Sequence, residues 1–385
     1  REKLVVLTGV SGSGKSTLLI DVLFNECQRQ YLEAMDLQGI RKPQVENIRG
    51  VSPAVCITQR GANRNPRSTV GTVTNIYTEL RMLYEKLAVR NCPHCGVAIC
   101  AADCFETTEK RGGDFFVYMD CCVCGKRMDK LTRTQFSYNT KEGACPECQG
   151  LGQTLKVDRT GAVDERRSLE DGAVRFWAQK YAEYQTGAFY AALRHYGLPV
   201  QPGTAVEAYS DLQKAVLYEG TSCSALQETF PNIAVPKTVA QGRFGGVEPM
   251  LWRRLQEKGG DAKGMEGYFL HTPCRACGGE RLNPLSRGAA VRDVRLPQLS
   301  ALSLDELRRW LEKLEQELPS AHQKLVEPYL LDLQTKLRRL SDVGLGYLSL
   351  ERQAGTLSGG ETQRLRLAAA LDSDITGIFY MLDEP

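Results

Sequence analysis

The strongest constraint on this chain is a glycine-rich loop near its start. Residues 9–16 have the sequence Gly-Val-Ser-Gly-Ser-Gly-Lys-Ser and stand between an apolar run at 4–7 and an apolar-rich stretch at 16–24. Glycines let successive backbone N–H groups converge on one point, and a helix start adds further free N–H groups. The pattern predicts a strand, a phosphate-binding loop and a helix, in that order. A glycine-rich turn without a ligand is the alternative, and the final Lys-Ser pair argues against it.

The loop predicts a nucleoside triphosphate as its ligand. Lys15 is expected on the β- and γ-phosphates, and the Ser16 hydroxyl is expected on Mg²⁺. The predicted phosphate-binding residues of the loop are Gly9, Ser11, Gly12, Ser13, Gly14, Lys15, Ser16 and Thr17.

A second motif lies near the other end of the chain. Residues 357–364 read Leu-Ser-Gly-Gly-Glu-Thr-Gln-Arg and precede a predicted helix. Ser358, Gly359 and Gly360 are therefore predicted to form an anion site at the helix start, suited to the γ-phosphate of a nucleotide held by another unit. Since Lys15 and Ser358 would serve different ATP molecules, the chain needs a partner unit, either a missing C-terminal half or another subunit.

Carboxylates end the last apolar run. The run at 377–382 is a predicted strand that leads into Asp383 and Glu384. Asp383 is expected to hold Mg²⁺, largely through water, and Glu384 to polarise the attacking water. Gln59, after a strand-like run at 54–58, is a weaker candidate for reaching Mg²⁺ or that water, and a solvated turn is its alternative. Together the motifs are those of an ABC-type ATPase.

Cysteines are the next informative feature. The chain has 14 cysteines in 385 residues, and eight of them form four Cys-x-x-Cys pairs, namely Cys92/Cys95, Cys121/Cys124, Cys145/Cys148 and Cys274/Cys277. With an ATPase pattern, no membrane span and no recognisable signal peptide, such pairs indicate zinc rather than disulfides, and a cytoplasmic location. The net charge of +3 neither predicts nor excludes a nucleic-acid partner.

The pairing of these cysteines is predicted from their spacing. Only 20 residues separate Cys124 from Cys145, so Cys121, Cys124, Cys145 and Cys148 are expected to close one structural Cys₄ zinc site. Cys92 and Cys95 could bind zinc with Cys100 and Cys104, join a distant Cys-x-x-Cys pair, or remain metal-free. The candidate second zinc site consists of Cys92, Cys95, Cys274 and Cys277.

Basic and aromatic residues lie within and beside the predicted zinc module. They form either a surface for the phosphate backbone of a nucleic acid or a solvated zinc-ribbon face. These residues are Lys126, Arg127, Lys130, Arg133, Phe136, Tyr138 and Lys141.

Periodicity predicts helices and one inserted domain. Ile76, Leu80, Leu83 and Leu87 have helical spacing, and Ser303 with Glu306 predicts a capping box before a stripe of Leu304, Leu307, Leu311 and Leu314. A second helix is expected from Pro328 towards Leu340. The region 153–272 is rich in aromatic residues but balanced in charge, so its aromatics are predicted to form a core rather than a base-stacking platform.

A family resemblance joins these motifs. About 340 residues with cysteine pairs separate the phosphate loop from the Leu-Ser-Gly-Gly motif, which is far longer than in transporter ATPases. The chain resembles the N-terminal half of UvrA, the damage-recognition ATPase of bacterial nucleotide excision repair. The matching stretches are 9–16 with 28–31, 65–74, 144–152, 244–254, 273–277 and 357–364.

The resemblance implies an α/β fold with an ABC-type P-loop ATPase core split by a helical signature region, a Cys₄ zinc module and an inserted α+β domain. The expected parts are the ATP-binding core at 1–90 and 341–385, the signature region at 91–118 and 273–340, the zinc module at 119–152 and the insertion at 153–272. The last part would end just after the carboxylate-bearing strand.

The resemblance also implies a function. It implies an ATPase subunit of an excinuclease system, not itself a nuclease, that binds double-stranded DNA and recognises damaged or distorted duplex. ATP binding and hydrolysis would control DNA binding and dimerisation, and the full protein would be a homodimer. By motif match, Lys15, Ser16, Gln59, Asp383 and Glu384 take the ATPase roles, with ATP, Mg²⁺ and Zn²⁺ as cofactors.

One departure from the family pattern concerns a partner. Only Gly96 to Asp120 stand where UvrA carries its UvrB-binding domain, so that domain is expected to be absent and an interaction with UvrB is in doubt. The chain is in this respect similar to shorter UvrA paralogues, some associated with drug or antibiotic tolerance. The competing hypothesis is therefore a soluble ABC ATPase in resistance or translation, and a transporter ATPase is the weakest alternative.

Overall fold

The structure is a computed structural model that describes residues 3–37, 39–58, 65, 67–258, 264–371 and 377–383. It divides into two compact units, one formed by 1–152 with 275–385 and the other by 153–274. The bounds of the second unit differ by two residues from those expected for the insertion. Among the described residues, no helix is both long and apolar enough to cross a membrane.

The first unit contains a nucleotide-loop region. After the glycine-rich loop, a π-helix at Thr17–Phe24 continues as an α-helix at Asn25–Ala34. The strands Ala54–Ile57 and Phe379–Leu382 pair in parallel, with Ala54 opposite Phe379. This parallel pairing joins segments of the unit that are more than 300 residues apart in the sequence.

The apolar run at 4–7 is not a strand, so that prediction is wrong. Leu4, Val5 and Val6 keep 90%, 77% and 68% of their surface exposed, and the run has no ladder partner among the described strands. An extended segment becomes a strand only when a neighbour takes up its backbone hydrogen bonds. Its apolar composition alone could not provide that neighbour.

Helices form the largest core of the first unit. Ile76–Leu87, Leu304–Glu317 and Ser320–Asp342 pack together through leucines. The predicted stripes are confirmed, because Ile76, Leu80, Leu83 and Leu87, and likewise Leu304, Leu307, Leu311 and Leu314, are buried. The capping box is also confirmed, since the Glu306 N–H donates to Ser303 Oγ and the Ser303 N–H to the Glu306 carboxylate.

The last long helix corrects a predicted boundary. It begins at Ser320 rather than Pro328, and Pro328 lies inside it. Proline removes one backbone donor and crowds the carbonyl four residues earlier. Val326, Leu330 and Leu333 are buried on either side of the proline, so packing of this face outweighs the local cost.

Short strands and helices complete the first unit. An antiparallel sheet has the order Val294–Arg295, Ala290–Val291, Val89–Asn91, Ala98–Cys100, and a second has the order Phe105–Arg111, Asp114–Asp120, Arg127–Asp129. The shorter helices are Val70–Val73, Ala101–Asp103, Pro284–Gly288, Leu296–Ala301, Ala354–Thr356 and Gly359–Ala370.

The second unit has its own core. Its strands Gln153–Val157 and Phe269–Pro273 pair antiparallel, and its helices are Arg159–Ala162, Gln179–His195, Val206–Ala208, Asp211–Glu219, Ser224–Thr229, Val239–Gln241, Val247–Glu257 and Glu266–Tyr268. Phe176, Trp177, Phe189, Tyr196 and Phe244 are all buried. The prediction that the aromatics here form a core is confirmed for these residues.

Candidate functional site

The glycine-rich loop leads directly into a helix. Gly12 and Gly14 have φ values of +79° and +85°, which glycine adopts without the penalty of a side chain. The Leu18 N–H donates to the Gly14 carbonyl at 2.8 Å and starts the helical ladder. The Lys15 ammonium donates to the carbonyls of Gly9 and Val10 at 2.9 and 2.8 Å, so its charge lies over the loop.

A hydroxyl and a carboxylate from opposite ends of the chain meet beside this loop. Ser16 Oγ donates to Asp383 Oδ1 at 2.7 Å across 367 residues of sequence. Asp383 follows its strand directly, and its N–H extends the ladder by donating to the Ile57 carbonyl at 3.1 Å. Both side chains, with Lys15, line a cavity of about 280 Å³. Oxygen ligands of this kind suit Mg²⁺ together with substrate phosphates, so these residues fit the predicted ion.

The Ser-Gly-Gly motif forms the start of the helix Gly359–Ala370. Ser358 caps it, because Ser358 Oγ accepts from the Glu361 N–H at 3.3 Å and the Ser358 N–H donates to Glu361 Oε2 at 2.7 Å. The Tyr347 hydroxyl donates to the other oxygen of Glu361. The Tyr347 hydroxyl, followed by the Ser358 N–H, lowers the pKa of Glu361 to about 2. Ser358, Gly359 and Gly360 are exposed, so the free N–H groups of the helix start are accessible to an anion.

Two side chains of this helix reach the strand ends, and the sequence interpretation missed both. Gln363 Nε2 donates to the Asp383 carbonyl at 2.7 Å, and Arg366 Nη1 donates to the Thr58 carbonyl at 3.3 Å. The only signal in the sequence was their position just after the Leu-Ser-Gly-Gly motif. Gln59 and Glu384, the other predicted catalytic residues, lie outside the described residues and stay predictions.

Eight cysteines form two clusters of four. Cys92 and Cys95 lie with Cys121 and Cys124, while Cys145 and Cys148 lie with Cys274 and Cys277. Within each cluster, all four sulfur atoms are within 4.8 Å of one another. The predicted grouping of Cys121, Cys124, Cys145 and Cys148 is therefore wrong, and so is the second grouping of Cys92, Cys95, Cys274 and Cys277.

Chain reversal explains the first cluster. The strands Phe105–Arg111 and Asp114–Asp120 form a hairpin with Phe105 opposite Asp120, which returns the chain from the first cysteine pair to the second. In the second cluster, the Cys145 N–H donates to the Arg281 carbonyl at 2.8 Å, which holds the third pair close to the segment of the fourth. The spacing of the cysteine pairs along the sequence does not indicate which pairs the folded chain brings together.

The sulfur geometry fits zinc. Sulfur–sulfur distances are 3.9 Å for Cys92–Cys124 and 3.8 Å for Cys95–Cys121 in the first cluster, and 3.7 Å for Cys148–Cys277 in the second. A tetrahedral Zn²⁺ with Zn–S bonds of about 2.3 Å has ligand edges of about 3.8 Å. Backbone N–H groups of Cys124 and Val123 lower the pKa of Cys121 to about 6, which favours the thiolate that zinc requires. Four thiolates leave no position for a catalytic water, so either zinc would be structural.

The predicted basic surface is changed in part: Lys126, Arg127, Arg133 and Lys141 are exposed, but Lys130, Phe136 and Tyr138 are buried. The Lys130 side chain is only 1% exposed and pairs with Glu106 and with Glu85 at 3.5 Å. Phe136 and Tyr138 are buried in the helical core. Arg127 is exposed but pairs with Glu109 at 2.6 Å. Lys130, Phe136 and Tyr138 therefore cannot form a DNA-contact face, because acidic side chains and packing that lie far away in sequence already surround them.

Comparison with known proteins shows which proteins the chain is similar to. Residues 159–263, inside the second unit, match the UvrA DNA-binding domain. Over its whole length the chain is 29% identical to UvrABC system protein A of Streptomyces avermitilis and 30% identical to that of Xanthomonas campestris pv. campestris, covering 49% and 50% of those proteins. It is also similar to the crystal structure of UvrA2 from Deinococcus radiodurans, with a TM-score of 0.65 and 29% identity over 99% of this chain and 46% of that chain.

These matches define a class, that of proteins similar to UvrA with a segment that matches the UvrA DNA-binding domain. They confirm the resemblance to UvrA that was drawn from the motifs of the chain. It spans about half the length of the curated relatives that it matches.

Proposed function

We propose that this chain is an ATP-binding and DNA-binding part of a UvrA-type ATPase that recognises damaged or distorted duplex DNA in nucleotide excision repair. The observation that supports the ATPase part of this proposal is the 2.7 Å hydrogen bond between Ser16 and Asp383. It joins the phosphate loop to the carboxylate strand, as a shared site for Mg²⁺ and ATP requires.

Each residue has a defined task in this proposal. The loop N–H groups and Lys15 bind the phosphates, while Ser16 and Asp383 hold the metal ion in place. Bound Mg²⁺ would supply charge neutralisation between the β- and γ-phosphates. Glu384 would polarise the attacking water, and Gln59 would help to orient it. The exposed helix start at Ser358 would meet the γ-phosphate of a nucleotide held by a second ABC unit, in another half or another subunit.

DNA is the proposed partner of the second unit. The match of 159–263 to the UvrA DNA-binding domain supports this assignment. The aromatic side chains that could stack on bases are mostly buried there, so recognition through the deformability of the duplex is favoured over direct reading of base edges. Two structural zinc ions, one in each cysteine cluster, would stabilise the chain around these parts.

The two candidate functions differ in whether the protein hands DNA over to UvrB. The match with the Streptomyces protein extends over 501 residues, so that protein has residues within the matched region that this 385-residue chain lacks. Between the first two cysteine pairs this chain has only the strand Ala98–Cys100, the short helix Ala101–Asp103 and a hairpin of two seven-residue strands. This supports a protein that works without handover to UvrB, and the second candidate function is a cytoplasmic UvrA paralogue in drug or antibiotic tolerance.

A binding titration tests the proposal. The complete natural protein would be titrated against matched duplexes, one undamaged and one with a bulky adduct, with and without ATP at one fixed salt concentration, since phosphate contacts make affinity steeply salt-dependent. A nucleotide-dependent preference for the adduct is expected. Equal affinities would overturn damage recognition and favour the tolerance function, whereas absence of ATP binding would overturn the ATPase itself.

A further inference from the structure

Gln363 makes a contact that the motifs do not account for. It lies in the second turn of the helix Gly359–Ala370, and only 6% of its surface is exposed. Its side-chain amide donates to the Asp383 carbonyl at 2.7 Å. The Ser358-capped helix is therefore hydrogen-bonded, through one buried side chain, to the strand end that carries the candidate Mg²⁺ ligand.

Three hydrogen bonds together hold Asp383. Its N–H donates to the Ile57 carbonyl at 3.1 Å, its carbonyl accepts from Gln363 at 2.7 Å, and its carboxylate accepts from Ser16 at 2.7 Å. The first bond extends the strand ladder and the third is the metal-site contact itself. The Gln363 bond holds the backbone of Asp383 from the helix Gly359–Ala370, which belongs neither to the strand pair nor to the phosphate loop. Outer partners of this kind orient metal ligands and tune affinity for the metal.

We propose that Gln363 is a positioning residue for the Mg²⁺ site, through which the Ser-Gly-Gly helix holds Asp383 in register with Ser16. The inference rests on the proposed ATPase function. Gln363 touches neither nucleotide nor metal in this arrangement. Its loss therefore affects nucleotide binding only where that binding depends on Mg²⁺.

The same helix offers a matched control. Arg366 lies three residues further along and donates to the Thr58 carbonyl at 3.3 Å. Through this bond it also ties the helix to a strand end, that of the neighbouring strand. Arg366→Met thus weakens the attachment of the helix while it leaves the Gln363 bond in place, and Gln363→Met removes only the amide from a side chain of nearly the same length.

The test measures nucleotide affinity of the complete natural protein with a fluorescent ATP analogue, in Mg²⁺-free buffer and over a series of Mg²⁺ concentrations, without a chelator that would remove structural zinc. For Gln363→Met we expect affinity in Mg²⁺-free buffer within about twofold of the wild type and a Mg²⁺ midpoint raised about tenfold, the scale seen when an outer partner of a metal ligand is removed. Arg366→Met should leave the Mg²⁺ midpoint unchanged. Thermal unfolding of each variant in Mg²⁺-free buffer verifies that it is folded.

Two results would overturn the inference. One is a wild-type Mg²⁺ midpoint in Gln363→Met, and the other is an equal loss of affinity with and without Mg²⁺. If Gln363→Met is unfolded, Gln363→Glu replaces it, because that variant keeps the size but places a carboxylate against the Asp383 carbonyl, and it is held to the same two criteria. A wild-type protein whose nucleotide binding does not depend on Mg²⁺ would overturn the proposed ATPase function as well. This result distinguishes failure of the proposed function from failure of the Gln363 inference alone.

Discussion

The cysteine pairing can be decided by counting zinc in double variants. The structure groups Cys92 with Cys124 and separates both from Cys145. A Cys92→Ser, Cys124→Ser protein then has one cluster reduced to two thiolates and one intact. A Cys124→Ser, Cys145→Ser protein has both clusters reduced to three. The grouping based on sequence spacing predicts the reverse: both clusters reduced to three thiolates in the first variant, and one cluster reduced to two with the other intact in the second.

The size of the effect follows from the geometry. Sulfur edges of 3.7 to 3.9 Å match a closed tetrahedral site, and such sites bind zinc with about 10–16 kcal/mol in small domains at neutral pH. An intact cluster should therefore keep its zinc through exhaustive dialysis against metal-free buffer, whereas a cluster that has lost a thiolate should release its metal. The expected zinc content after dialysis is two ions for the wild type, one for Cys92→Ser, Cys124→Ser and none for Cys124→Ser, Cys145→Ser.

Elemental analysis of the dialysed protein measures this directly. Cys223→Ser is a suitable control, because Cys223 is buried in the core of the second unit and belongs to neither cluster. It should keep both ions. The pairing would be refuted if Cys124→Ser, Cys145→Ser retained one ion while Cys92→Ser, Cys124→Ser lost both, and a wild type without zinc would refute the metal assignment.

Three further predictions concern single residues. Lys15→Ala should abolish ATP binding with little change in thermal stability, because its hydrogen bonds are exposed and local; calorimetric titration and melting check both. Tyr347→Phe removes the main cause of the low pKa of Glu361, about 2. A carboxylate with a lowered pKa stabilises the fold above its ordinary range and loses that contribution as pH falls through the lowered value. The variant should therefore be less stable than the wild type at neutral pH, and this difference should shrink as pH falls from the ordinary carboxyl range towards about 2. Lys130→Met should cost about 1–3 kcal/mol in urea unfolding by stranding Glu106 and Glu85, while leaving duplex affinity unchanged.

Each of these has an opposing result. Retained ATP affinity in Lys15→Ala would contradict the phosphate-loop assignment. Identical acid profiles for wild type and Tyr347→Phe would contradict the hydrogen bond to Glu361. A specific loss of duplex affinity in a stable Lys130→Met protein would show that Lys130 contacts DNA, which its burial argues against.

The sequence by itself determined the features that depend on neighbouring residues. The phosphate loop, the Ser303 capping box and the buried stripe of Leu304–Leu314 each follow from residues within a few positions of one another. The UvrA resemblance was visible from such local motifs too. Local rules hold here because hydrogen bonds and side-chain spacing within one turn need no information from the rest of the chain.

Only the tertiary structure decided which distant segments meet. The grouping of the cysteines depends on the hairpin between Phe105 and Asp120, and the burial of Lys130 depends on Glu106 and Glu85. The apolar run at 4–7 carried a strand pattern without a neighbouring strand to pair with. The contacts of Asp383 with Ser16 and Gln363 likewise join segments that lie far apart in the sequence. Such contacts depend on the path of the chain in space, which spacing in sequence does not encode.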